Sequence, residues 1–372
     1  MTALFVVILV VHGLLHLLGF ARAFGLAELP QLTRPIPPVA GTLWLTAALL
    51  FLAAAASLFL WPRWWWLMGA AAVVMSLSVI LPSWTDAKSG VLGNLVVLVG
   101  VVFGFLAYGP TSLRGAYDRD VNRGLAHAVA TETVTEADLA SLPEPVQRYL
   151  RVTGAVGRPR VHNFRARMHG RIRSGREARW IPLAAEQYNF VDHPARLFYL
   201  NGSMFAIPVQ GYHRYVDRTA TMDIKAAALV PVVAASGSEM NQGETVTMFN
   251  DMCVMAPATL IGPGIGWEPV DQKTARATFT NAGHTISAEL SFNERGELTN
   301  FQSNERYQTS PDGKSVRQLP WSTPLDGYRS FGSVRLAGSG EARWRDAAGE
   351  FTYIELTFDD IDYNVTSRGR NF

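Results

Sequence analysis

The chain has one cysteine, Cys253, in 372 residues. That excludes an internal disulfide framework and any site built from several thiolates. Charge is scarce in the first 110 residues, whose only charged side chains are Arg22, Glu28, Arg34, Arg63, Asp86 and Lys88. These carry the whole net charge of +2, so residues 109–372 balance at zero. A neutral domain lacks the electrostatic footprint of nucleic-acid binding, and no nucleic-acid partner is expected. Common catalytic signatures are missing as well. There is no Gly-x-Ser-x-Gly elbow, P-loop, Gly-x-Gly-x-x-Gly or His-Glu-x-x-His. Gly262-Pro-Gly-Ile-Gly266 lacks the strand–turn–helix setting of a phosphate loop. The opening Met-Thr has no basic n-region, and no Ala-x-Ala-like site follows the first apolar run, so that run is expected to be retained.

What is present divides in two. The six charges sit between four apolar runs, Leu4–Phe20, Val39–Trp61, Trp64–Leu81 and Val91–Tyr108. Each approaches the ~20 residues a helix needs to cross a bilayer, so residues 1–110 read as a four-helix transmembrane domain. Trp61, Trp64 to Trp66 and Trp84 fit an interfacial aromatic belt. Basic residues flanking the runs do not decide orientation. An uncharged two-residue N-terminus crosses easily, which points to an extracytoplasmic C-terminal domain. The expected setting is a bacterial plasma membrane, crossed several times.

Residues 111–160 read as a helical connector. Thr135-Glu-Ala-Asp138 resembles a capping box, and Pro143–Arg151 is a short amphipathic helix stopped by Gly154. From Asn163 the hydrophobic period becomes two. Thr274–Thr280 and His284–Phe292 alternate around Asn281-Ala-Gly283, which predicts a hairpin. Phe351–Phe358 and Ile361–Val365 alternate around a turn-like Asp359-Asp360. In Asn163–Arg173, Met168 and Ile172 oppose a row of arginines, for which Glu355, Asp360 and Asp362 are partners. About ten such segments predict a curved antiparallel sheet or half-barrel over residues 161–372. An apolar stretch, Ala226–Ala235, and a helix, Gly243–Met255, interrupt it. The fold class is thus a helical membrane domain followed by an all-β (α+β overall) domain.

Three groups of residues are candidates for function. His12 and His16 share one face of the first helix, and ionisable groups inside a membrane are functional candidates by default. Metal, haem or a proton relay would suit them, as would hydrogen bonds to neighbouring helices. No other run contains a histidine, so packing is the preferred reading and no cofactor is expected. Asp86 and Lys88 form a second polar group that could pair internally or meet His16. Glu244 and Asp251, seven apart on the predicted helix, suit acid–base work only if buried. A solvated helix face is the plainer reading. Val246, Phe249 and Cys253 give that helix an apolar side, which should cover the concave face of the sheet. That face is expected to consist of Met168, Ile172, Ile286, Leu290, Phe292, Ile354, Leu356 and Phe358, with Phe249 above it.

Several strings resemble an uncharacterised bacterial membrane protein family. His12-Gly-Leu-Leu-His16, Gly41-Thr-Leu-Trp44 and Trp84-Thr-Asp-Ala-Lys88 resemble its membrane part. Leu142-Pro-Glu-Pro-Val-Gln-Arg-Tyr-Leu150, Gly266-Trp267-Glu268, Thr274-Ala-Arg-Ala-Thr278 and Glu305-Arg-Tyr307 resemble its C-terminal domain of unknown function. The resemblance implies no activity. The architecture is also similar to half-barrel carriers of lipoproteins and lipids. The leading expectation is a membrane-tethered module that binds membrane lipids or another hydrophobic small molecule. An enzyme acting on a lipophilic substrate and an assembly partner at the membrane are the alternatives.

Overall fold

The computed structural model describes residues 2–127, 132–310 and 315–369. The chain divides into two compact units, Met1–Gly115 and Ala116–Phe372. In the first, α1 (Thr2–Ala23), α2 (Pro38–Leu60), α3 (Trp65–Ile80), a single turn α4 (Trp84–Ala87) and α5 (Gly90–Tyr108) follow the apolar runs. Pro38 opens α2, where a missing N–H costs nothing. Helix α1 packs on α2, α2 on α3, α3 on α5, and α5 returns to α1, closing a bundle. Leu9, Phe51, Trp65, Val73 and Val97 fill its interior. Leu4, Val7, Leu49, Phe59, Val74, Leu92 and Val99 lie exposed on its outside.

Three segments are long and apolar enough to cross a membrane: Ala3–Ala23, Pro38–Leu60 and Gly90–Leu125, the last with its apolar part in α5. The fourth predicted span is shorter, because Trp64 and Leu81 are given up to the turns at Pro62 and Pro82. The remaining helix has sixteen residues.

Helix α6 (Leu113–Leu125), a 3-10 turn at Glu136–Leu139 and α7 (Glu144–Val152) come next. Thr135 and Asp138 do form the capping box, on a 3-10 turn. Helix α7 buries Val146, Tyr149 and Leu150, the apolar stripe of its sequence.

The sheet begins with β1 (Asn163–Ile172), β2 (Ile181–Phe190), β3 (Ala195–Met204), β4 (Ile207–Val216), β5 (Thr219–Ala226) and β6 (Val230–Ser236). Helix α8 (Ser238–Met255) intervenes. The chain resumes with β7 (Ile265–Pro269), β8 (Thr274–Asn281), β9 (His284–Phe292), β10 (Leu298–Thr309) and β11 (Val316–Asp326). A small hairpin, β12 (Arg329–Phe331) and β13 (Val334–Leu336), precedes β14 (Ser339–Asp346) and β15 (Gly349–Tyr363).

Thirteen strands form one antiparallel sheet, curled as a half-barrel, in the order β6-β5-β4-β3-β2-β1-β15-β14-β11-β10-β9-β8-β7. Strand β6 is one edge and β7 the other. The chain must travel between them, and α8 does so across the concave face, against β5, β6, β8, β9 and β10. Eighteen residues of helix reach about 27 Å.

Three expectations are corrected. Phe351 to Tyr363 is one strand, and Asp359 is the extra residue of a bulge: Arg167 faces Asp360 while Met168 faces Phe358. The apolar stretch Ala226–Ala235 is the β5–β6 edge hairpin rather than an insert. Helix α8 starts at Ser238, five residues earlier than its apolar pattern begins. The arginine row of β1 lies opposite its acidic partners, with Arg171 on Glu355, Arg167 on Asp360, and Arg165 on Asp362 and Glu186.

Candidate functional site

In the helical unit, the two histidines point inward and are buried. The His16 Nδ1–H donates to the His12 carbonyl at 2.8 Å, so its Nε2 accepts from Ser76 Oγ at 2.8 Å. Asn94 Nδ2 donates to the same Ser76 oxygen at 2.9 Å, and His12 Nε2 donates to Asn94 Oδ1 at 3.1 Å. The chain of bonds ties α1, α3 and α5 together. It uses both nitrogens of His16. The His12 ring lies over Gly93, where a Cβ would sit 2.4 Å from Nδ1. Asp86 and Lys88 are not part of this network. Asp86 accepts from Thr33 Oγ1 at 2.8 Å and from the Arg34 N–H at 3.0 Å, which hold its carboxyl below the usual range. Lys88 is exposed.

In the β unit, Glu244 and Asp251 are buried, not solvated, which corrects the plainer reading of the sequence. Seven residues separate them along α8, so both project from one side onto strand β3. There they meet Arg196, itself buried, whose Nη1 lies 2.9 Å from Glu244 Oε2 and whose Nε lies 2.5 Å from Asp251 Oδ2. Gln187 donates to the same Asp251 oxygen at 2.6 Å, and His213 lies 3.8 Å from Glu244. Burial alone would raise the Glu244 carboxyl. The Arg196 charge and the His213 ring outweigh it and hold the group at about 2. Burial raises Asp251, and Arg196 with Gln187 offsets only part of that rise. Both carboxylates are thus committed to one guanidinium, which pins the helix to the sheet. Cys253, on the opposite side of α8, is buried, and burial pushes its thiol well up.

The two sides of α8 differ. On one side Phe249 stacks on Phe279 at 5.0 Å and meets Phe301 at 5.8 Å. This half is filled: Phe249, Ile286, Leu290 and Phe292 belong to the packed core and line neither of the two cavities beside the helix. On the other side an open groove of about 670 Å³ separates the helix from the sheet. Leu183, Leu200, Met222, Ile224, Val233 and Ile354 give it apolar walls, and Ile172 lies at its margin. A smaller pocket of about 120 Å³ shares Glu244, Arg306 and Tyr353 with the groove and is lined further by Met168, Leu356, Phe358 and Trp321 among others. The expected lining therefore splits. Met168, Ile172, Ile354, Leu356 and Phe358 border open space, whereas the residues of β9 and Phe249 are core.

Sequence reasoning missed Arg196, Arg306 and the β5–β6 wall. For Arg196 a signal existed. It shares a strand face with Phe198 and Leu200, so a charge stood on an otherwise apolar stripe. At the outer end of the groove, the tips of the β3–β4 and β5–β6 hairpins expose Phe205, Ile207, Leu229 and Val230. A separate cleft of about 370 Å³ is lined by His162, His193, Asp192 and Arg123 together with Phe190, Leu197 and Val216, among others.

No curated protein matches the sequence. Among the solved structures that match, three are as follows. A putative outer membrane lipoprotein-sorting protein domain from Vibrio parahaemolyticus is 8% identical, covers 55% of this chain and 87% of its own, with a TM-score of 0.33. A DUF1329 family protein from Desulfovibrio piger is 11% identical over 61% and 96%, with a TM-score of 0.36. A LolA superfamily protein from Nitrosomonas europaea is 10% identical over 59% and 92%, with a TM-score of 0.29. At these values the likeness bears on neither ligand nor activity. Residues 132–356, more than half of the chain, match DUF6544, a family of unknown function, and the chain belongs to that family.

Proposed function

We propose that the protein is a membrane-anchored module that binds or carries a lipid or similar hydrophobic molecule in the groove between α8 and the sheet. The groove itself is the observation that carries this reading. Small-molecule sites usually enclose ~300–1,000 Å³, with mostly apolar walls and a few polar groups, and a groove of about 670 Å³ with such walls falls in that range. The edge strand β6 supplies one wall. Apolar side chains there would be a liability on a free sheet edge, but they are useful where a hydrophobic ligand covers them.

The anchoring rests on residues 2–108. A bundle that is apolar outside as well as inside suits hydrocarbon rather than water. In this reading all four long helices cross the bilayer. The sixteen residues of α3 extend about 24 Å, and local thinning of the bilayer accommodates the shortfall. The β unit lies on the extracytoplasmic side of the bacterial plasma membrane.

The test is to purify the full chain, exchange detergent exhaustively and identify retained lipid by mass spectrometry. About one molecule per chain is expected. Val233→Trp and Ile224→Trp place an indole in the groove and should remove that molecule without changing the melting temperature. Unchanged lipid content in both folded variants would overturn the reading.

A further inference from the structure

Arg306 lines both the groove and the smaller pocket beside it. Its orientation comes from a local irregularity. Along β10, Phe301 and Ser303 are buried, and strict alternation would bring Glu305 to the same face. Instead the pairing of β10 with β11 shifts between Ser303 and Arg306. A bulge of this kind reverses which residues face inward. Glu305 turns to the other face, where it accepts from Ser287 N at 2.9 Å and Ser287 Oγ at 2.7 Å. Arg306 takes the concave face, so the bulge exchanges a carboxylate for a cation in the groove.

The cation is held without a direct ion pair, although the buried Glu244 carboxylate feels its charge. Its guanidinium lies 4.7 Å from the Trp321 ring centroid and 5.2 Å from that of Trp344. Its Nε donates to Thr247 Oγ1 at 3.0 Å, and Nη1 donates to Tyr353 Oη at 3.4 Å. Among the described residues it forms no ion pair. The nearby carboxylates are engaged elsewhere, Glu244 and Asp251 with Arg196 and Glu341 with Arg343. Tyr353 Oη also accepts from Trp321 Nε1 at 3.1 Å. Both of its lone pairs are thus used, and among the described residues its own proton has no acceptor. A guanidinium with no direct ion pair and an unused phenol proton meet in the wall of a mostly apolar groove.

We infer that the occupant is a single-chain amphiphile with a carboxylate head, such as a long-chain fatty acid, its head at Arg306 and Tyr353 and its chain along Leu200, Met222, Ile224 and Val233. This rests on the ligand-binding reading of the groove. Aromatic stacking and two neutral acceptors fix the guanidinium in advance, so little ordering remains when the anion arrives. A planar carboxylate can accept two parallel N–H bonds from the guanidinium fork, which an alcohol cannot match.

The test uses the full chain in amphipol, with tritiated palmitate as the probe and unlabelled palmitate or hexadecanol as competitors. The two share a chain length and differ in the head. Hydrogen bonds to charged groups are worth about tenfold to a hundredfold in affinity, so wild-type protein should prefer palmitate by that factor. Arg306→Gln should erase the preference for palmitate over hexadecanol, whereas Arg306→Lys should keep part of it. Equal binding of the two by wild-type protein would overturn the inference while leaving a hydrophobic groove. Failure of both to bind would overturn the groove reading with it. The wild-type comparison decides the matter even if the Arg306 variants fold poorly.

Discussion

Arg196→Met is the substitution with the largest consequence to be drawn from the β unit. The guanidinium serves two buried carboxylates, at 2.9 Å and 2.5 Å, with side-chain exposures of 7%, 3% and 8% for Arg196, Glu244 and Asp251. Breaking one buried pair by removing a partner typically costs ~3–5 kcal/mol, because the remaining charge is left in a poor solvent. Here two charges are left. The expected loss at neutral pH is therefore at least about 4 kcal/mol, or a fall of roughly 8–16 °C for a unit of this size. The pH dependence follows from the direction of each shift. In the wild type Glu244 is held at about 2 against an ordinary value of 4.5. Its contribution is complete above pH 4.5 and lost as pH falls toward 2. Asp251, raised by burial, works in the opposite sense and favours the folded state only while protonated. Without Arg196 both groups should take up protons at higher pH. The deficit of the variant should then be largest near pH 8 and shrink below pH 5. Calorimetry of the full chain in detergent would follow this. The triple variant Arg196→Met, Glu244→Gln, Asp251→Asn should recover more than half of the loss. An equal deficit at pH 5 and pH 8, or no recovery in the triple variant, would refute the argument that the cost is uncompensated charge.

Two further outcomes are expected from the packing. Gly170→Ala would place a Cβ 1.9 Å from the Glu355 carbonyl oxygen of the neighbouring strand, which cannot move without breaking the β1–β15 ladder. It should cost about 1–3 kcal/mol or more, while Gly175→Ala, with open space around it, should be neutral or slightly stabilising in the same thermal melts. In the helical unit, Asn94→Leu removes the partner of both His12 and Ser76. It should lower the stability of the bundle in detergent by about 1–2 kcal/mol. A melt identical to wild type would mean that the network does not hold the helices together.

Much of this fold is written in local patterns. The predicted hairpin Thr274–Thr280 and His284–Phe292 differs from β8 and β9 by a single residue, because strict alternation and an Asn-Ala-Gly turn leave one register. The partners of the β1 arginines were legible for a similar reason, since the first and last strands of the domain alternate in complementary charge. Length sufficed for α1, α2 and α5. Other features are long-range and have no local trace. Arg196 lies 48 residues from Glu244 and 55 from Asp251. Nothing in the Glu244–Asp251 spacing distinguishes a solvated face from one aimed at a buried guanidinium. Ser76, one serine in an apolar run, gives no sign that it closes the histidine network. Arg306 gave no signal, because strict alternation would put Glu305 inward in its place. A bulge inverts every inside–outside assignment beyond it, and β10 shows no glycine or proline to mark the place.

The division of the concave face into a filled half and an open half also traces to particular residues. Because β6 and β7 are opposite edges, α8 has to cross the sheet and therefore has two flanks. One flank presents Val246, Phe249 and Cys253, which meet Phe279, Ile286 and Leu290 and close the core. The other presents Met240, Gly243 and Glu244 to the groove. Glycine contributes no side chain there, and Glu244 is drawn down to Arg196, so this flank supplies too little volume to reach β3–β6. A helix with bulk on both flanks would have filled the half-barrel. Substitutions on the two flanks should accordingly differ in kind. Enlarging Ala288, which is buried in the filled half, overpacks a core and tests stability. Enlarging Val233 or Ile224 occupies space the fold leaves open, and tests what the groove holds.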